Sequence, residues 1–179
     1  MAKPRFIYYA AASLDGFLAD EQGQLDWLFR FDGTDGLAAH YERFIANIGA
    51  LVMGRDTWDF VAHSGHPWAY GDTPTWVLTH RPLDPMIPGA TAHRCSDSRE
   101  AAEAASAAAG ERDVWVVGGG KVAAQLLENG HLDELHLGLV PLFLGRGLPL
   151  LPVRTAELEL IGQTTFGRGL VELRYRFPR

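Results

Sequence analysis

Three consecutive glycines join a buried apolar segment to a helical one, and this junction restricts the fold more than any other part of the sequence. Residues 113–117 predict a central strand, and residues 119–128 predict a helix. A strand that turns directly into a helix is the repeating unit of α/β domains. The first N–H groups of such a helix have no partner inside it and carry partial positive charge. The turn Gly118-Gly119-Gly120 therefore predicts an anion-binding site.

The spacing of these glycines differs from the Gly-x-Gly-x-x-Gly fingerprint of dinucleotide-binding folds, and no acidic residue follows a second strand. A tight turn between strand and helix, without a ligand, is the alternative interpretation. Because three adjacent glycines cost backbone entropy, we favour close approach of a ligand as their reason.

The rest of the chain alternates between predicted strands and helices. Strands are predicted at residues 5–12, 50–53, 75–79, 90–93, 134–140, 157–166 and 169–177, and helices at 34–48, 56–61 and 98–109. Asp97 and Gly110 are expected to cap the helix at residues 98–109, and Phe166–Gly169 are expected to form a hairpin turn. The order is βαβαβ at first and β-rich at the end. It predicts one three-layer α/β domain over residues 1–179, with a mixed, mostly parallel central sheet and antiparallel C-terminal strands.

Composition narrows the classes of function. The 179 residues carry a net charge of −6 without a long Lys/Arg cluster, so no nucleic-acid partner is expected. No apolar run approaches the roughly 20 residues that span a bilayer, so no membrane partner is expected either. The apolar residues 6–12 lead into Ser13-Leu14-Asp15-Gly16 rather than into a cleavage site, which favours a cytoplasmic protein.

Thiol and metal chemistry are not predicted. Cys95 is the single cysteine and has no recognisable His–Asn partners, so it is interpreted as structural. His63 and His66 lie in a glycine-containing loop without a third ligand at a useful spacing, and no metal is expected there.

Two further strand ends carry groups that suit phosphate. Gly54-Arg55-Asp56-Thr57 follows the strand at residues 50–53, and Thr79-His80-Arg81 follows the next strand. The alternatives are a surface arginine beside a capping threonine, and a basic loop. Because ligands of open α/β sheets bind at the carboxyl ends of strands, the three glycine-rich or basic segments support one another.

Three segments in this order are similar to the dihydrofolate reductase-like superfamily, and two more resemble one of its branches. The three are Met53-Gly54-Arg55-Asp56-Thr57-Trp58, Val77-Leu78-Thr79-His80-Arg81 and Val117-Gly118-Gly119-Gly120-Lys121-Val122. Residues 12–20 and 139–151 resemble the branch that contains the C-terminal reductase domain of bacterial riboflavin biosynthesis proteins.

This resemblance implies NADPH as the cofactor, and it implies a role for each matching position. Gly54, Arg55 and Thr57 would contact phosphates, and Leu78, Thr79, His80 and Arg81 would hold the adenosine side. Val117, Gly118, Gly119, Gly120, Lys121 and Val122 would approach the pyrophosphate and nicotinamide, with Ala11, Leu18 and Ala19 beside the nicotinamide.

On the substrate side, the resemblance points to Asp15 as the catalytic and substrate-binding carboxylate, with Trp27 over the substrate. A turn aspartate before Gly16 and a core tryptophan are the alternatives. The acid that dihydrofolate reductases carry on the first long helix has no clear match, because Glu42 is interpreted as a solvated residue and His40 is not an acid.

The resulting hypothesis is an NADPH-dependent oxidoreductase. It would transfer a hydride to a small heterocycle of pterin or aminopyrimidine type, or to another C=N or C=O substrate. A nucleotide-binding protein of the same fold without catalysis is the alternative. A homodimer is also expected, since the resemblance implies it and the apolar residues 139–151 are compatible with it.

Overall fold

The structure, a computed structural model, describes residues 3–153 and 155–178 and consists of strands and helices in alternation. The strands are β1 (Phe6–Ser13), β2 (Phe17–Ala19), β3 (Ile48–Gly54), β4 (Thr75–Leu78), β5 (Ala92–Cys95), β6 (Asp113–Gly118), β7 (Glu134–Val140), β8 (Leu148–Pro149), β9 (Glu159–Thr165) and β10 (Val171–Arg176). The helices are α1 (Asp26–Phe29), α2 (Leu37–Ala46), α3 (Arg55–His63), α4 (Ser98–Ala109) and α5 (Gly120–Glu128).

Eight strands form one sheet in the order β5-β4-β3-β6-β1-β7-β10-β9. The pairs from β5 to β7 are all parallel, whereas β10 runs antiparallel to both β7 and β9. This confirms the predicted mixed, mostly parallel sheet with antiparallel strands at the C-terminal end. The short strands β2 and β8 pair with each other outside the main sheet.

Helices cover both faces of the sheet, as the three-layer prediction requires. One face buries Phe6 and Tyr8 of β1 against the small side chains of α4 and the apolar side of α5. The opposite face buries Leu51 and Met53 of β3 against α3, with the aromatic residues of α2 packed beside them. Within β3, Ala50 and Val52 face the first core whereas Leu51 and Met53 face the second, because successive side chains of a strand point to opposite faces. No described helix is long and apolar enough to cross a membrane.

The alanine-rich helix α4 shows how local sequence sets an element. Its N-cap residue Asp97 accepts hydrogen bonds from the backbone N–H groups of Arg99 and Glu100, as predicted. Gly110 ends the helix at φ 66°, a conformation that favours glycine. At Gly49 of β3, a Cβ would lie 2.5 Å from the carbonyl oxygen of Ala109. Helix and sheet therefore touch backbone to backbone at this point.

Element boundaries differ from the sequence predictions where tertiary contacts decide them. Helix α2 begins at Leu37 rather than at residue 34, because Gly36 adopts φ 81° and separates it from the preceding turn. The predicted strand at residues 50–53 extends to Ile48–Gly54, since parallel pairing with β6 orders its whole length. The hairpin between β9 and β10 is confirmed, and its turn holds Arg168 at φ 58°.

Candidate functional site

Two helices begin side by side at the carboxyl edge of the sheet. Their strands are direct neighbours, with Met53 of β3 paired to Gly118 of β6. Gly54 is the N-cap of α3 and Gly119 is the N-cap of α5, and neither helix receives a side-chain cap. Each of these helices is nine residues long. Two sets of free N–H groups and two positive dipole ends therefore meet at one place, which is an arrangement that favours an anion.

The three glycines of the turn have different surroundings. A Cβ on Gly118 would lie 3.0 Å from Oγ1 of Thr57, and one on Gly120 would lie 2.5 Å from the carbonyl oxygen of Leu150. A Cβ on Gly119 would meet nothing within 4 Å. The Gly118–Gly119 peptide bond is cis. Packing thus accounts for Gly118 and Gly120, whereas Gly119 lies beside open space.

The predicted phosphate residues of β3 and α3 fall into two groups. Gly54 is buried, and a Cβ there would lie 3.0 Å from Cγ2 of Val122 and 3.7 Å from the backbone nitrogen of Gly119. Thr57 lies next to Gly118. The structure therefore brings Gly54 and Thr57 together with the glycine turn.

The guanidinium of Arg55, which was predicted to contact a phosphate, is engaged by other groups of the protein. Its guanidinium donates to Asp59 at 2.7 Å, to the carbonyl oxygen of Pro82, and to that of Asp84 at 3.0 Å. These contacts fasten the loop after β4 to helix α3, and only 14% of the side chain is exposed. In this arrangement its donors serve the protein rather than a ligand.

The segment after β4 extends the same edge. Leu78 pairs with Gly54, so β4, β3 and β6 end next to one another. Thr79 is buried, and its hydroxyl oxygen accepts a hydrogen bond from the backbone N–H of Arg81 at 3.1 Å. The side chains of His80 and Arg81 are exposed, Arg81 to 66% and 3.8 Å from Asp59. Arg81 is thus an exposed cation in the segment that follows β4.

The other predicted cofactor residues differ in their burial and packing. Lys121 is exposed in the first turn of α5, and Val122 is buried against Gly54. Val117 packs on the α2/α3 face, and Leu18 packs on the α4/α5 face. Ala11 is partly buried, and Ala19 is buried at the end of β2.

Asp15 lies in the turn after β1 and holds a second loop in place. Its carboxylate accepts hydrogen bonds from Ser13 Oγ at 2.6 Å, from the N–H of Leu144 at 3.1 Å and from that of Gly145 at 2.7 Å. The hydrogen bond from Ser13 and, after it, those from the two backbone N–H groups lower the pKa of Asp15. The group is therefore ionised at neutral pH, where it accepts hydrogen bonds and does not donate a proton.

Trp27 is buried among Ala11, Val140 and Leu170, at the ends of β1 and β7. Within the described residues its indole Nε1 has no hydrogen-bond partner. Trp27 therefore packs as a core residue. Its indole N–H nevertheless lies near the end of β1, which is predicted to face the nicotinamide.

A buried carboxylate that sequence reasoning missed lies on the α2 side of the sheet. Glu172 of β10 is 2% exposed, and its Oε2 lies 2.7 Å from Nε2 of His40 on α2. Glu42, the acid considered on that helix, is exposed as expected. The signal available in the sequence was the alternation of β10, Val-Glu-Leu-Arg-Tyr-Arg, in which charged residues occupy one face of a strand next to the core. Pairing with β7 brings Glu172, at one end of that face, beside His40 of α2.

The thiol and histidine candidates lie elsewhere. Cys95 is buried, its thiol donates to the carbonyl oxygen of Asp97 at 3.2 Å, and burial raises the pKa of the thiol. His63 and His66 are exposed, and the Nδ1 atom of His63 lies 2.6 Å from the carbonyl oxygen of Asp59. Within the described residues no three His, Cys, Asp or Glu side chains are grouped as metal ligands.

Comparison with known proteins gives a family match over much of the chain. Residues 66–171 match the RibD C-terminal domain. The uncharacterized protein YwjB of Bacillus subtilis (strain 168) is 29% identical over 175 residues, which cover 94% of this chain and 95% of that protein.

Solved structures share the fold. A putative riboflavin biosynthesis protein from Shewanella sp. PV-4 superimposes with a TM-score of 0.81 at 25% identity, covering 98% of this chain and 99% of that one. Dihydrofolate reductase from Enterococcus faecalis, in complex with NADP(H), has a TM-score of 0.70 at 19% identity, covering 98% and 97% of the two chains. The fold is that of dihydrofolate reductase.

Proposed function

The chain belongs to the RibD C-terminal domain family, and we propose that it is a reductase that uses NADPH to reduce a small heterocycle of pterin or aminopyrimidine type, or another C=N or C=O substrate. One observation carries the proposal: the helix starts at Gly54 and Gly119 adjoin at the ends of two neighbouring strands. A pyrophosphate bound there would accept hydrogen bonds from both.

The residues at this edge fit the cofactor. Gly119 leaves open space where a backbone can approach a phosphate closely, because a Cβ there would meet no protein atom within 4 Å. Arg81, an exposed cation after β4, would pair with the 2′-phosphate that distinguishes NADPH from NADH. When bound, NADPH supplies the hydride.

Other residues would shape the site without touching phosphate. We assign Arg55 to hold the loop of Pro82 and Asp84 against α3, which fixes the backbone that carries Arg81. We assign Asp15 to hold the loop of Leu144 and Gly145 at the end of β1. Both are positioning roles, and the lowered pKa of Asp15 keeps its carboxylate ionised at neutral pH.

Calorimetric titration with NADPH and with NADH tests the cofactor assignment. We expect NADPH to bind more tightly, and equal affinities would contradict the role of Arg81. Oxidation of NADPH in the presence of pterins, aminopyrimidines and small carbonyl compounds then tests turnover. Tight binding of NADPH with no turnover on any of them would favour a nucleotide-binding protein without catalysis.

A further inference from the structure

Asp59 of α3 divides its carboxylate between two arginines that follow the ends of β3 and β4. Its Oδ1 accepts a hydrogen bond from Nε of Arg55 at 2.7 Å, one helical turn earlier on the same helix. Its Oδ2 lies 3.8 Å from a terminal guanidinium nitrogen of Arg81. The side chain of Asp59 is 29% exposed, so solutes reach this carboxylate.

The two arginines are held very differently. Arg55 is largely buried and donates to Asp59 and to the carbonyl oxygens of Pro82 and Asp84. The side chain of Arg81 is 66% exposed and makes no hydrogen bond to the described residues, and the 3.8 Å that separate it from Asp59 exceed hydrogen-bond distance. Arg81 is therefore the arginine that can exchange its partner in the protein for a ligand.

Among the described residues, Asp59 is the acid that pairs with Arg81. Asp84 faces Arg55 through its backbone carbonyl oxygen, and the imidazole of His63 contacts the backbone carbonyl oxygen of Asp59 rather than its carboxylate. On the other side of the segment, the guanidinium of Arg94 lies 3.5 Å from the carbonyl oxygen of His80 and so adds another cation. A ligand that approaches Arg81 therefore meets one opposing negative charge, that of Asp59.

A phosphate has the stronger claim on this guanidinium. A phosphate monoester carries a charge of about −1.5 to −2 at neutral pH and accepts two parallel hydrogen bonds from an arginine. An exposed pair between a carboxylate and an arginine changes an equilibrium constant by only about 2- to 5-fold. The phosphate would displace Asp59, but the affinity that remains is reduced by the pair that has to be broken.

Resting on the proposed function, we propose that Asp59 is a specificity-determining residue that limits the preference for NADPH over NADH. It does so by competing with the 2′-phosphate for Arg81. As NADPH binds, the guanidinium of Arg81 passes from the carboxylate to the phosphate, while Arg55 keeps its hydrogen bond to Oδ1 and holds the loop in place. NADH has a hydroxyl group at that position and does not require the exchange.

Asp59→Asn separates the two functions of this carboxylate. The asparagine has the same shape and its carbonyl oxygen can still accept from Arg55, but the charge that attracts Arg81 is removed. At low ionic strength the variant should bind NADPH about 3-fold more tightly, and its affinity for NADH should not change. The gain should shrink as salt is added, since screening weakens exposed pairs. Calorimetric titration measures both affinities.

Two further variants control this experiment. Asp72→Asn removes the same charge from an exposed loop that precedes β4, at the opposite end of that strand from Arg81, and should change neither affinity. The double variant Asp59→Asn, Arg81→Ala should bind NADPH as weakly as Arg81→Ala alone, because the effect of Asp59 acts through Arg81.

An unchanged ratio of the two affinities in Asp59→Asn would overturn the proposal. So would weaker binding of NADPH, which would show that Asp59 supports Arg81, or a gain that persists in the double variant. If Asp59→Asn does not fold, the side-chain Nε–H resonances of the wild-type protein replace it. Saturation with NADPH must then shift the resonance of Arg81 and leave that of Arg55 in place, and an unshifted Arg81 resonance overturns the proposal.

Failure of the wild-type protein to bind NADPH would refute the proposed function itself. Binding of NADPH with no change of preference in Asp59→Asn would refute the role of Asp59 alone. The two failures are thus distinguished within one set of titrations.

Discussion

A side chain on Gly54 would lie 3.7 Å from the backbone nitrogen of Gly119, so the starts of two helices that are 65 positions apart in the chain share one small space. Gly54 is the last residue of β3 and Gly119 directly follows the last residue of β6, and each is the N-cap of a helix that receives no side-chain cap. Helix α4, by contrast, is capped by the carboxylate of Asp97, which already engages the N–H groups of Arg99 and Glu100. The starts of α3 and α5 are therefore the helix ends at which we expect an anion to bind.

Gly119→Ala should leave the fold intact and weaken NADPH binding by about 10-fold, because the new methyl group would occupy the approach to a phosphate and not meet the protein. Thermal unfolding and calorimetry measure the two effects separately.

Gly120→Ala is the matched control and should behave in the opposite way. Its Cβ would lie 2.5 Å from the carbonyl oxygen of Leu150, so unfolding free energy should fall by about 1–3 kcal/mol through overpacking. Equal stability of the two variants would contradict the distinction between the glycines.

Arg81→Ala should reduce the affinity for NADPH by about 10-fold and leave the affinity for NADH within error, since only NADPH carries the 2′-phosphate. Arg112→Ala removes an exposed arginine that precedes β6, at the opposite end of that strand from the glycine turn, and should change neither affinity. An equal loss for both cofactors in Arg81→Ala would show that the residue acts through loop structure.

Asp15→Asn should destabilise the protein at neutral pH but not in acid. The folded-state pKa of Asp15 is lowered from 3.8, so its contribution is complete above that value and is lost as pH falls through the lower, folded-state pKa. Melting temperatures of wild type and variant should therefore differ near neutral pH and converge toward the acid limit of folding. A constant difference at all pH values would exclude the ionised carboxylate as the cause.

Gly138→Ala should keep or slightly raise stability, by up to about 1 kcal/mol, because alanine restricts the unfolded chain and fits the contacts with Ala11. Thermal unfolding of the variant and of the wild type measures this change. A loss of stability at Gly138→Ala would contradict the fit of an alanine beside Ala11.

Much of this site follows from local sequence, and the rest depends on pairings between distant segments. The glycine turn at Gly118–Gly120 and the cap at Asp97 were predictable because their physics is confined to a few neighbouring residues. The contacts of Arg55 with Pro82 and Asp84 were not, since they depend on the course of a loop 27 and 29 residues further along. Glu172 was missed for the same reason: only the antiparallel return of β10 beside β7 brings it to His40.

The most direct test of the account is a titration of the ¹⁵N-labelled protein with NADPH, followed through its backbone amide resonances. We predict the largest shifts at Gly119, Gly120 and Lys121 at the start of α5 and at Arg55 and Asp56 at the start of α3. The amides of Arg99 and Glu100, which Asp97 already engages, should stay unchanged. Shifts confined to other parts of the chain, or saturation with both helix starts unaffected, would contradict the assignment of the cofactor to this edge of the sheet.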